Sequence, residues 1–188
     1  MHYIGAISDT DILINLAMVN RLDVLEYLFK VIIIPQYIYD VEIKKKAGKY
    51  YNIINNAIYK DGSIFRVLDR AKDPSINILA KDIIEDKRKV IGPGESECSG
   101  YAHALRIPII ISDNYTEFKW MGEFITLTHR NILTLCVYFG NIKQTEAERI
   151  FNRINSQLSY PTQDTFDDQY RKTMRRISKN GWETYLGV

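Results

Sequence analysis

The run Gly5-Ala6-Ile7-Ser8-Asp9-Thr10-Asp11-Ile12-Leu13-Ile14-Asn15-Leu16 joins two kinds of hydrophobic order. Up to Ser8 it is short, apolar and partly β-branched, which suits a buried strand. From Leu13 onward apolar residues return at three- and four-residue spacing (Leu13, Leu16, Ala17), as on one face of a helix. An acid, Asp9, stands at the junction. Tyr3–Ser8, Val31–Ile34, Ile64–Leu68, Pro108–Ser112 and Phe124–Leu127 all read as buried strands. Between them Ile38 and Val41, then Cys98, Tyr101, Ala102 and Leu105, mark helical faces. Strands and helices alternate in this way when a parallel sheet is covered on both faces. The expected fold is therefore α/β, a three-layer α/β/α sandwich with a mostly parallel central sheet. In such sheets ligands bind beyond the carboxyl ends of the strands, so residues that directly follow a strand matter most.

Composition sets the frame around that reading. The chain has 188 residues, 46% of them hydrophobic and 26% charged, an ordinary globular mix that excludes a disordered or disulfide-stapled chain. Lys and Arg number 25 against 23 Asp and Glu, so a net charge of +2 does not by itself argue for nucleic acid. Cys98 and Cys136 have no metal-ligand spacing and read as reduced thiols, which makes a cytoplasmic location the expectation. No segment reads as a signal peptide or a membrane span. The strand–helix pattern occupies residues 1–142. Residues 143–188 read as a C-terminal helical extension: an amphipathic helix over Thr145–Leu158, Pro161, then acids (Asp164, Asp167, Asp168) followed by bases (Arg171, Lys172, Arg175, Arg176, Lys179).

Acidic residues recur where this architecture gathers side chains. Asp9 follows the first strand, with Asp11 in the next helix. Glu42 lies in the helix after the second strand, beside the face marked by Ile38 and Val41, Glu95 and Glu97 open a later helix, and Asp113 follows Pro108–Ser112. Each also has a plainer reading as a helix cap, a dipole partner, a solvated helix residue or a turn former. Together they make a cluster that would destabilise the fold without a cation, because like charges repel and burial disfavours ionised carboxyls. Hard oxygen donors of this kind suit Mg²⁺ or Mn²⁺.

Four of these stretches resemble, in order, the motifs of PIN-domain nucleases. Ser8-Asp9-Thr10-Asp11-Ile12-Leu13-Ile14-Asn15-Leu16 resembles the first, and Ile34-Pro35-Gln36-Tyr37-Ile38-Tyr39-Asp40-Val41-Glu42 the second. Gly94-Glu95-Ser96-Glu97 resembles the third and Ile109-Ile110-Ile111-Ser112-Asp113-Asn114 the fourth, with Thr128 to Gly140 similar to the closing segment. The resemblance implies metal-dependent phosphodiester hydrolysis, with RNA the more common substrate. It implies Asp9, Glu42, Glu95 and Asp113 as catalytic residues, with Asp9, Glu95 and Asp113 holding Mg²⁺ or Mn²⁺. Ser112, Asn114, Glu117, Asp11 and Glu97 are candidate supporting residues, and Asn114 and Glu117 are alternatives to Asp113 as the last ligand. The third position is Glu where many members have Asp.

The resemblance also implies partners: RNA, an antitoxin if the chain is the toxin of such a pair, and a second copy, since small nucleases of this type often dimerise. Lys44, Lys45 and Lys46, just after Glu42, and Arg130, after the last strand, are candidate phosphate contacts. The lysines equally suit a solvated helix end. A reading from another class stays open beside the enzyme: a weakly active or inactive PIN-like module that binds RNA or a protein.

Overall fold

The computed structural model describes residues 3, 5–114 and 123–188. Its centre is a sheet of five parallel strands: β1 (Ala6–Ser8), β2 (Ile32–Pro35), β3 (Phe65–Leu68), β4 (Ile109–Ile111) and β5 (Ile125–Leu127). The strand order is β3-β2-β1-β4-β5, so β1 lies in the middle with β2 and β4 on either side. Each strand falls where a β-branched run stands in the sequence, and β1, β2, β4 and β5 are buried along their whole length. Near-continuous apolar runs of this kind are what a sheet covered on both faces requires. β1 begins later than the hydrophobic run suggests, because Tyr3 makes only an isolated parallel bridge to Phe29.

The helices are α1 (Thr10–Met18), α2 (Ile38–Ile43, π-type, running on through Lys44–Lys46), α3 (Tyr51–Tyr59), α4 (Pro74–Lys87) and α5 (Pro93–Leu105). After β5 come α6 (His129–Tyr138), α7 (Gln144–Asn155), α8 (Phe166–Lys179) and the short α9 (Glu183–Leu186). Among the described residues no helix is long and apolar enough to cross a membrane. α4 and α5 lie close together because Gly100 has no side chain; a Cβ there would strike Ile84 and come within 3.1 Å of the Ala80 carbonyl.

The C-terminal helices pack onto the sheet's own core. Ala147, Ile150, Phe151 and Ile154 of α7 join Phe166 and Ile177 of α8 and Leu186 of α9 in the same buried cluster as the strands. Polar ties reinforce this: Arg21 pairs with Glu146 at 2.6 Å, and Asn131 Nδ2 donates to Thr173 Oγ1 at 2.9 Å. Arg176 donates to the Thr126 carbonyl at 2.9 Å. α7 stops at Asn155, short of Leu158. The Asn155 side chain donates to the Thr162 carbonyl and accepts from the Thr162 N–H, both at 2.8 Å, which turns the chain back.

Candidate active site

Asp9 leaves β1 in an extended conformation and caps α1, its Oδ1 accepting the Thr10 N–H at 2.7 Å. Its Oδ2 accepts the Ser112 hydroxyl at 2.7 Å. Strand register explains this second partner. Ile7 pairs with Ile110 and Ser8 with Ile111, and the Asp9 N–H donates to the Ile111 carbonyl at 3.0 Å, so Asp9 lies beside Ser112. Side chains along extended backbone alternate in direction. Ser112 and Asn114 therefore share Asp9's side, and Asp113 points the other way.

The side chains follow that rule. Asn114 Nδ2 donates to Glu95 Oε1 at 3.1 Å, and the Asn114 N–H donates to Ser112 Oγ at 3.0 Å. Glu95 sits in the first turn of α5, where the helix dipole favours an anion. Glu42, on α2, accepts from Thr10 Oγ1 at 3.0 Å and from Lys46 Nζ at 2.7 Å. Its other oxygen fills the space over Gly94, where any Cβ would collide with it. Asp9, Glu42 and Glu95 thus converge through Thr10, Gly94, Ser112 and Asn114. The buried Cys98 thiol lies among them: its pKa is pushed up by burial, then by Asp9, Glu95, Glu42 and Glu97.

Asp9 bears the electrostatic load. Only 3% of it is exposed. Burial pushes its carboxyl up to about 7 and the charges of Asp11 and Glu95 add to that, against the lowering effect of the Ser112 and Thr10 hydrogen bonds.

Other candidates are drawn elsewhere. Asp113, expected to complete the set, faces away. Burial alone would raise its pKa, but His129 and Asn15 bring it below the ordinary carboxylate value. Asn15 Nδ2 donates to it at 2.5 Å, the His129 N–H at 2.8 Å, and His129 Nδ1 lies 2.8 Å from Oδ2. Glu97 is fully buried and its Oε1 is held by Arg70 and, at 3.0 Å, by Arg88. Even with both guanidinium groups beside it, burial leaves its pKa raised. Lys44 pairs with Asp40 at 2.6 Å, Lys45 is exposed, and Lys46 turns inward to Glu42. Glu117 lies outside the described residues. Four participants escaped the sequence reading: Thr10 and Gly94, each adjacent to a candidate acid, and Arg70 and Asn15, which carried no local signal.

Among the described residues no three His, Cys, Asp or Glu side chains are gathered closely enough to hold a metal ion by themselves. What stands at the carboxyl end of the sheet is a pair, Asp9 and Glu95, with Asn114 donating from its side-chain amide to Glu95 and from its backbone N–H to Ser112. That donor chemistry is all oxygen. It fits a hard cation held by one or two carboxylates and completed by water, the usual habit of Mg²⁺, and does not fit a cage closed by protein ligands. The raised Asp9 carboxyl supports the fit, since a divalent charge beside it would favour its ionised form.

A family model described as a PIN domain matches residues 5–120, more than half of the chain. No curated protein matches the sequence significantly.

Proposed function

We propose that this chain, which belongs to the PIN-domain family, is a metal-dependent endonuclease that cleaves RNA at the pocket formed by Asp9, Glu42 and Glu95. PIN domains are generally nucleases, and PIN-domain nucleases generally use divalent metals. The observation that carries the reading is Asp9: a buried carboxyl at the carboxyl end of the central strand, surrounded by further acids and neutral donors.

In this reading Asp9 and Glu95 hold the ion, with the Asn114 amide oxygen as a further donor if its side chain turns over. Bound Mg²⁺ or Mn²⁺ would supply the positive charge that makes water nucleophilic near neutral pH and offsets charge on the phosphate. Ser112 fixes the Asp9 carboxylate in one orientation through its 2.7 Å bond. Thr10 and Lys46 hold Glu42 against Gly94, where it orients the attacking water and receives its proton. Asp113 is assigned to positioning the β4 and β5 ends through His129.

The test is cleavage of a single-stranded RNA oligonucleotide with Mg²⁺ or Mn²⁺. The wild type should cleave and Asp9→Asn should not; cleavage by both, or insensitivity to a chelator, would refute the assignment. Growth arrest on expression, relieved by a co-expressed neighbouring gene, would identify the nuclease as a toxin.

A further inference from the structure

The C-terminal helices do more than cover the core. Between them and the sheet's carboxyl edge lies a cleft of about 560 Å³, lined by Asp11, His129, Arg130, Tyr160, Lys172 and Arg176 among others. Asp11 stands in the first turn of α1, the helix that Asp9 caps, so this cleft opens beside the proposed catalytic pocket. Its size falls within the roughly 300–1,000 Å³ of ordinary ligand sites.

Three features point to its occupant. Cations come from two directions: Arg130 from the first turn of α6, and from α8 both Arg176 and Lys172, the latter 60% exposed and paired at 2.6 Å with Asp164. Arg176 is anchored to the Thr126 carbonyl and stacks over Trp182 at 5.0 Å, which keeps its charge beside the cleft. Tyr160, in the turn between α7 and α8, is 93% exposed, a large ring standing in solvent at the cleft. Such a ring offers a stacking surface to a base. The third feature is His129. It is 3% exposed, its Nδ1 is held by Asp113, and its Nε2 has no hydrogen-bond partner among the described atoms. A buried polar atom left without a partner marks a place where a ligand or water belongs.

We propose that this cleft seats the substrate strand next to the scissile bond, with Arg130 and Lys172 on a backbone phosphate and Tyr160 stacked on the adjoining base. The assignment rests on the nuclease reading for the identity of the strand, but its binding can be measured without cleavage. In this view α8 and the turn before it are part of the binding surface, and the acidic pocket gains the flanking positive charge it needs to admit a polyanion.

The experiment is fluorescence anisotropy of a labelled single-stranded RNA oligonucleotide with the full chain in a chelator, where no metal-dependent cleavage occurs. Tyr160→Ala should weaken binding roughly tenfold or more, the scale of one lost base stack. Arg130→Gln should weaken it too and flatten the salt dependence by about 0.7 in slope, the share of one phosphate contact on a single strand. Tyr185→Ala, an equally simple change at another exposed ring 66% accessible and outside the cleft, should bind as wild type. Thermal melting of each variant confirms that it folds. Wild-type affinity for both cleft variants, an equal loss in Tyr185→Ala, or no binding by the wild type would each overturn the proposal. Loss of binding in the cleft variants together with no cleavage by the wild type would uphold the cleft and sink the nuclease reading. Cleavage with unchanged binding would do the reverse.

Discussion

Ile7-Ser8-Asp9 and Ile111-Ser112-Asp113 are the same three residues at the carboxyl ends of neighbouring strands, yet their acids are treated in opposite ways. Asp9 is met by two neutral donors and by the fields of Asp11 and Glu95, and its carboxyl is raised to about 7. Asp113 is met by Asn15 and by both the ring and the backbone of His129, and its carboxyl is lowered. Burial is common to both and so cannot explain the difference. The partners decide it: one acid has donors that favour its charge, and the other has too few to offset its burial.

The largest expected effect separates the two acids by activity. Asp9→Asn should lower RNA cleavage by about a thousandfold or more, since it removes a charge that acts on the reacting centre. Asp113→Asn, with its role confined to positioning, should lose far less; an equal loss would erase the distinction.

Gly94→Ala comes next. The new Cβ would occupy the space of the Glu42 carboxylate and come within 2.9 Å of Ile38 Cδ1. Moving a catalytic group by about an ångström can cost on the order of a hundredfold, so single-turnover rates should fall on that scale while the melting temperature changes little.

The third contrast is in stability. Asp113→Ala leaves the Asn15 amide and two His129 donors without their acceptor, at a cost of roughly 3 kcal/mol, read as a lower urea midpoint. Above pH 7 Asp9→Asn removes an uncompensated buried charge and should leave the midpoint unchanged or higher in a chelator.

The pH dependence follows from the same pair. Folded Asp9 keeps its proton up to about pH 7, whereas an unfolded Asp releases it near pH 4. Between those values the folded state binds more protons, so metal-free stability falls as pH rises through that window. Asp113, lowered in the fold, contributes stability above about pH 4 that is lost as pH falls further. Added Mg²⁺ should therefore raise the melting temperature more at high pH than at low pH, and Asp9→Asn should abolish that difference.

The smallest effect belongs to Thr10→Val, which removes the 3.0 Å bond to Glu42 but leaves Lys46 in place. One hydrogen bond to a charged group is worth about 1.5 kcal/mol at the lower end, so a loss of roughly tenfold in rate is expected.

Much of this was legible in the sequence, for identifiable reasons. The strands stood out because a sheet covered on both faces needs unbroken runs such as Ile32–Pro35 and Ile109–Ile111. α4 was hard to read because it buries little beyond Ala80 and Ile84 while exposing Ile78 and Leu79, which blurs its period. Asp9 and Glu95 could be picked out because they sit just past a strand and at a helix start, and Glu42 because it lies four residues after the buried Ile38 on the helix that follows β2. Asp113 could not be told from Asp9 locally, since the partners that distinguish it lie at Asn15 and His129. Two of the basic candidates have partners that the charge run alone does not reveal: Lys44 and Lys46 pair with acids one helical turn away, Asp40 and Glu42.

Direct Mn²⁺ binding, followed by electron paramagnetic resonance above pH 7, tests the contrast between the two acids most plainly. Wild type and Asp113→Asn should bind the ion, and Asp9→Asn should not. Binding retained by Asp9→Asn but lost by Asp113→Asn would contradict the assignment of the cation to Asp9.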